Sequence, residues 1–169
     1  MAEDVAPRLL GCELVREIDG HRLVGRIVET EAYDQADAAS HSYKGQTPRT
    51  DVMFGPSGHL YVYFTYGMHY CCNIVTGPSG HGSAVLIRAI EPLSGDFPRS
   101  TNGPAKLCQA LGIDKAWNGH DLSQQPLQLV IRPPWPQTDI VQTTRVGISR
   151  AQDVPWRFYL RGNPHVSRI

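Results

Sequence analysis

The sequence predicts a strand-rich α+β domain, mostly antiparallel, with few helices. Three observations carry that expectation. Asp19-Gly20, a preferred type I′ turn pair, separates two strand-like segments. The pentapeptide Gly-Pro-Ser-Gly-His occurs at 55–59 and again at 77–81, each time just ahead of an apolar and aromatic run. Only two short stretches carry a helical pattern. At 169 residues the chain is expected to form a single domain spanning residues 1–169, long enough to bury a core.

Taken in order, residues 4–11 suit a short helix with an apolar face at Val5, Leu9 and Leu10. Glu13 to Ile18 and Arg22 to Tyr33 read as the arms of a β-hairpin. Period-two alternation places Leu23, Ile27, Glu29, Glu31 and Tyr33 on one face of the second arm. A polar loop runs from Asp34 to about Thr50. Strands are expected at Leu60–Tyr66, Tyr70–Thr76 and Ala84–Ile90, joined by a tip at Tyr66–His69 and a glycine-rich turn at Gly77–Gly82. The flanks of the repeated pentapeptide do not match, so it reads as convergent turn chemistry. Gly103 to Gly112 has helix character, with proline near its start and glycine at its end. Residues 132–138 are proline-rich and must be loop or edge. Two late strands are expected near Arg145–Ile148 and Trp156–Leu160.

Hydrophobic content of 41% and charged content of 19% are those of an ordinary globule. A formal net charge of zero argues against binding polyanions by bulk electrostatics. Lysine occurs only at 44, 106 and 115, so 13 of the 16 basic residues are arginine, the side chain suited to planar contacts with phosphate or carboxylate. The four cysteines form no CxxC and lack zinc-site spacing, which points to reduced, buried thiols and no metal. Neither a leader nor a membrane-length apolar run is visible, so an intracellular protein without a membrane partner is expected.

The most informative stretch is Leu60–Tyr70, where four of eleven residues are tyrosine. Tyr61 and Tyr63 share a strand face; they could stack on a ligand or simply fill a core strand. Glu29 and Glu31 share a face with Tyr33, and an inward carboxylate would either hold its proton more tightly or find a partner. Arg88, at the end of an apolar run, is the natural partner, and a purely structural ion pair would satisfy both. Asn73, an amide in an apolar strand, needs a buried partner or a ligand. His41 sits in the polar loop. No GxSxG elbow, HExxH motif or phosphate loop occurs.

Together these segments resemble the alkyladenine (3-methyladenine) DNA glycosylase family. The match rests on Arg26-Ile-Val-Glu-Thr-Glu-Ala-Tyr33, Ser40-His41, Gln46-Thr-Pro-Arg49, Met53-Phe54 and Leu60–Asn73. It continues through Val85–Pro92, Gly103–Leu111, Arg145-Val-Gly147 and Arg157–Gly162, nearly the whole chain. The resemblance implies a curved antiparallel sheet with a protruding β-hairpin and few flanking helices. It also implies a cofactor-free, monofunctional enzyme of base excision repair, acting on damaged double-stranded DNA as a monomer. In that family's terms Glu31 is the catalytic base and Arg88 supports it. Tyr33, His41 and Tyr63 enclose an extruded base, while Asn73 and Leu86 wall the pocket against normal guanine. Tyr66 fills the gap left in the duplex, with Met68 and His69 beside it, and Thr47, Arg49 and Lys106 meet phosphates. The chain departs from the vertebrate members in three ways. The span from Tyr33 to His41 is one residue shorter, His69 replaces a tyrosine, and the net charge is neutral rather than basic. A non-catalytic binder of damaged DNA would keep the tyrosines without needing Glu31 and Arg88. A module like the RNA-binding domain of a formyltransferase would require a further catalytic domain.

Overall fold

A computed structural model describes residues 1–167. Its centre is an eight-stranded antiparallel sheet, with β1 at Glu13–Ile18, β2 at His21–Asp34, β3 at Leu60–Thr65 and β4 at His69–Val75. It continues with β5 at Ser83–Ser94, β6 at Leu127–Val130, β7 at Ile140–Thr143 and β8 at Arg157–Leu160. The strand order is β3-β4-β5-β2-β1-β6, and β8 joins the far half of β2 and carries β7 on its outer side. Two helices, α1 at Ala2–Leu9 and α2 at Pro104–Leu111, complete the α+β architecture.

The local signals act as the sequence dictates. Asp19 and Gly20 both take positive φ, at 49° and 76°, and close the β1–β2 hairpin. Helix α2 begins at Pro104, and Gly112 ends it in the left-handed region. Along β3 the period of two sends Leu60 and Val62 into the main core and Tyr61 to the opposite face, where Tyr63 packs beside it. The main core lies between the sheet and the two helices, with Ala2, Ala6 and Leu9 of α1 and Leu107, Cys108 and Leu111 of α2 meeting Val85, Ile87 and Ile74. The opposite face carries the site.

Three expectations are corrected. The first helix spans Ala2–Leu9 rather than residues 4–11, and buries Ala2, Ala6 and Leu9 with Val5 only partly covered. Along β2 the alternation is interrupted. In the β2–β5 ladder Ile27 faces Ile90 and Glu29 faces Ala89, so Val28 is skipped; Thr30 then faces Ile87, so Arg88 is skipped. This pair of irregularities bends the sheet. It puts Leu23, Ile27 and Val28 in the core and turns Glu29, Glu31 and Tyr33 to the other face, so the five residues expected together are divided. The strand expected near Arg145–Ile148 is a loop, and the strand lies earlier, at Ile140–Thr143. Gly147 has φ of 71°, which a strand does not accommodate, and the side chain of Arg145 is drawn inward to Asp37 and the Ala32 carbonyl. Strand β6 carried no clear alternation and was not anticipated. All four cysteines are free and buried, and Cys108 of α2 lies against Cys72 of β4.

Candidate active site

One transverse row of the sheet assembles most of the site. Tyr61 on β3 pairs with Asn73 on β4, Asn73 with Leu86 on β5, Leu86 with Glu31 on β2, and Glu31 with Arg157 on β8. Residues directly opposite one another on adjacent strands point to the same face. Five strands therefore present their side chains side by side. Tyr33 and Tyr63 stand two residues further along their strands and extend the row into a wall.

All of these except Arg157 line a cavity of about 570 Å³. Glu31, Tyr33, His41, Tyr63, Asn73, Leu86 and Arg88 all reach it, as does Tyr66 at the rim. His41, in a short 3-10 turn at His41–Lys44, stacks edge-on against Tyr63 at 4.5 Å between ring centres, and its Nδ1 lies 3.1 Å from the Tyr61 hydroxyl. The short span from Tyr33 thus still delivers His41 to the cavity. His41 is an exposed residue, but the side of its ring against Tyr63 is shielded from water; that desolvation and the nearby Arg49 guanidinium push it below its usual pKa, which favours a neutral ring. Asn73 donates its amide to the Tyr61 carbonyl at 3.1 Å.

Glu31 is completely buried, and both of its oxygens are engaged. The Tyr33 hydroxyl donates to Oε2 at 2.8 Å, and the Val146 backbone N–H donates to Oε1 at 2.8 Å. Burial, and then the adjacent Glu31 charge, raise Tyr33 far above an ordinary phenol, so it remains a donor. Arg88 reaches Glu31 with Nη1 at 3.5 Å, but its closer contact is Nε to Glu29 Oε1 at 3.1 Å. The expected Glu31–Arg88 pair is therefore the longer half of a larger arrangement. Glu29 also accepts from Arg157 Nε at 2.7 Å. Two carboxylates and two guanidiniums balance one another out of contact with water. Burial alone would lower Arg88, but Glu31 and Glu29 outweigh it and hold the guanidinium above its ordinary value. Cys71, beneath Tyr63, is pushed up to about 11, first by burial and then by Cys72, and stays a thiol.

The remaining sequence candidates lie around the mouth. Tyr66 and Met68 cap the β3–β4 hairpin and are 84% and 66% exposed. Tyr66 and Gly67 both have positive φ, at 51° and 65°. Such turns favour Asn-Gly, and a tyrosine held there costs about 1–2 kcal/mol. His69 pairs with Thr65 at the hairpin base, and its Nδ1 is buried without a hydrogen-bond partner among the described residues. Thr47 is tied to Thr50 through its backbone N–H and its hydroxyl, both at 3.0 Å. Lys106 donates to Asn102 at 3.1 Å on the exposed side of α2. Thr47, Arg49, Met68, His69 and Lys106 are not among the cavity walls.

Several contributors were not anticipated. Tyr61 belongs to the pocket; its place on the Tyr63 face was the available signal. Lys44 and Arg150 line the cavity, yet nothing in their sequence surroundings marks them. The loop at 145–148 supplies the Val146 amide; Arg145-Val-Gly147 belonged to the family resemblance, which gave it no role in the site. Arg145 clamps that loop to Asp37 and lies over the Tyr33 ring at 4.8 Å. Among the described residues no cluster is suited to a metal ion, and no helix is long and apolar enough to cross a membrane.

The chain is similar in sequence to several proteins. A protein of Carboxydothermus hydrogenoformans is 53% identical over 176 aligned residues, covering 97% of this chain and 92% of its own. One of Methanoculleus marisnigri is 52% identical over 178, covering 97% and 92%, and one of Nitrosospira multiformis is 48% identical over 176, covering 98% and 88%. All three are provisionally named 3-methyladenine DNA glycosylases. The family model described as methylpurine-DNA glycosylase matches residues 1–164, and the chain belongs to that family.

Proposed function

We propose that the chain is a monofunctional DNA glycosylase of base excision repair. It turns an alkylated or deaminated purine out of duplex DNA into the cavity and hydrolyses the N-glycosidic bond, leaving an abasic site. The observation that carries this reading is Glu31. It is a fully buried carboxylate held by Tyr33, the Val146 amide and Arg88 at a cavity of about 570 Å³ walled by Tyr33, His41 and Tyr63. Cleavage between sugar and base passes through an oxocarbenium-like state. Glu31 takes a proton from the attacking water and stabilises the positive sugar, while Arg88 supplies positive charge beside it.

Extruding a base costs a few kcal/mol, and less for a weakly paired damaged one. Tyr66, stacked into the vacated position, returns about 1–3 kcal/mol. Methylation at ring nitrogen three or seven makes a purine cationic. Such a cation gains about 0.5–2 kcal/mol between the faces of Tyr33 and Tyr63, and a neutral His41 does not repel it. Asn73 and Leu86 crowd the position that the exocyclic amine of guanine would occupy. The nucleophile is water. Lys44, the lysine among the lining residues, has an exposed side chain and is not part of the Glu31 arrangement.

Base release from duplex oligonucleotides tests this, each carrying 7-methylguanine, 3-methyladenine, hypoxanthine, ethenoadenine or no lesion. Wild type releases free base; Glu31→Gln binds the same duplexes and excises them about 10²–10⁴-fold more slowly. Full activity in Glu31→Gln would sink the mechanism. Binding by both proteins with excision by neither would make this a damage-recognition protein and Glu31–Arg88 a structural pair.

A further inference from the structure

We infer that Ser167 is a positioning residue for this reaction. It anchors Glu29, which draws Arg88 back from Glu31 and leaves Glu31 free to accept a proton. The inference rests on the catalytic reading of Glu31 given above. The family match ends at residue 164, so Ser167 lies beyond it.

The contacts at Glu29 are unusually complete. Its Oε2 accepts from the Ser167 N–H at 2.7 Å, and its Oε1 accepts from the Ser167 hydroxyl at 2.9 Å, Arg157 Nε at 2.7 Å and Arg88 Nε at 3.1 Å. The Ser167 hydroxyl in turn accepts from Arg88 Nη2 at 3.3 Å. Arg88 therefore makes both of its hydrogen bonds on the side away from the cavity, and only Nη1 is turned toward Glu31, at 3.5 Å. That separation supplies positive charge to Glu31 without a short bidentate pair, which would occupy the lone pairs needed for water. Removing the Ser167 hydroxyl takes one donor from Glu29 and one acceptor from Arg88. The guanidinium is then held on that side by Glu29 alone, through Nε, and its Nη1 at 3.5 Å is free to close on Glu31.

The charged and titratable groups around Glu31 come from every neighbouring element: Glu29 and Tyr33 on β2, Tyr63 on β3, Cys71 on β4, Arg88 on β5, Arg157 on β8, and Arg145 with the Val146 amide in the loop. Of these, only Glu29 and Arg88 bond to Ser167. A change caused by Ser167 thus reaches Glu31 through Arg88 or Glu29.

The test is single-turnover excision of 7-methylguanine across pH by wild type, Ser167→Ala, Ser167→Thr and Glu31→Gln, with duplex binding and thermal unfolding followed in parallel. In Ser167→Ala the excision rate falls about tenfold, the scale of a lost hydrogen bond to a charged group. Its acidic limb moves to lower pH, while duplex affinity stays within twofold of wild type. Ser167→Thr, which keeps the hydroxyl, restores both rate and profile. A Ser167→Ala profile superimposable on wild type, or a rate reduced only in proportion to the folded fraction, overturns the inference. Activity retained in Glu31→Gln would instead remove the catalytic reading beneath it.

Discussion

In the proposed function one side chain, His41, would set the charge preference of the cavity. Desolvation against Tyr63 and the Arg49 charge both push its pKa down, so at neutral pH the ring is uncharged beside Tyr63. Protonation requires a pH below the ordinary value of about 6.5. Once charged, the ring repels a cationic purine but not a neutral one. The ratio of 7-methylguanine to hypoxanthine excision therefore falls as pH drops from 7 to 5, and His41→Gln flattens that fall. A ratio independent of pH in wild type would separate His41 from the bound base. The identities of Glu31, Arg88 and Tyr33 were readable as a carboxylate, its partner and an aromatic on one strand face. The particular bonds were not. Nothing local to Arg88 tells whether Glu29 or Glu31 sits closer, because that depends on where Arg157 and Ser167 arrive.

Among the elements, the β3–β4 hairpin breaks its own local rule. A turn that favours Asn-Gly holds Tyr66 in the left-handed region with 84% of its surface exposed, a cost that folding alone does not require. Tyr66→Gly, which removes the Cβ, is expected to relax the turn while weakening binding to lesion-containing duplex by about 1–3 kcal/mol. Equilibrium binding and thermal unfolding measured together separate the two effects. Unchanged affinity would show that the tip does not enter the duplex. The hairpin was legible because strand alternation, Gly67 and the tyrosines agree. The bulged stretch of β2 was not. Skipping Val28 is a property of the ladder with β5, and the composition of Val28-Glu29-Thr30 is compatible with either register.

For the whole molecule, zero net charge conceals an uneven distribution. Arg88, Arg145 and Arg157 are buried and matched to Glu29, Glu31 and Asp37, so they lend little field to the surface. Lys44 and Arg150 at the cavity wall are exposed, as is Arg49 beside His41. With so few basic groups near the mouth, duplex affinity should fall with salt on a shallow slope, close to 0.9 per phosphate contacted. Lys44→Gln or Arg150→Gln should each reduce that slope by about 1. A slope unaltered by both would remove these side chains from the phosphate contacts. The same balance explains why composition carried little information about the partner: the charges that count are a handful, and folding selects them.

By itself the sequence determined what depends on neighbours along the chain. Alternation put Tyr61 and Tyr63 on one face, Asp19-Gly20 closed a hairpin, and Pro104 and Gly112 bounded a helix. The order of its motifs was enough to indicate the family. Tertiary structure decided what depends on partners far apart in sequence. The Val146 amide reaches Glu31 across 115 positions and Ser167 reaches Glu29 across 138. A backbone N–H carries no sequence signature, and a buried charge takes whichever partners the fold brings within hydrogen-bond distance. Some side chains of the candidate site could therefore be read from the sequence, while the hydrogen bonds among them arose only when the sheet closed around them.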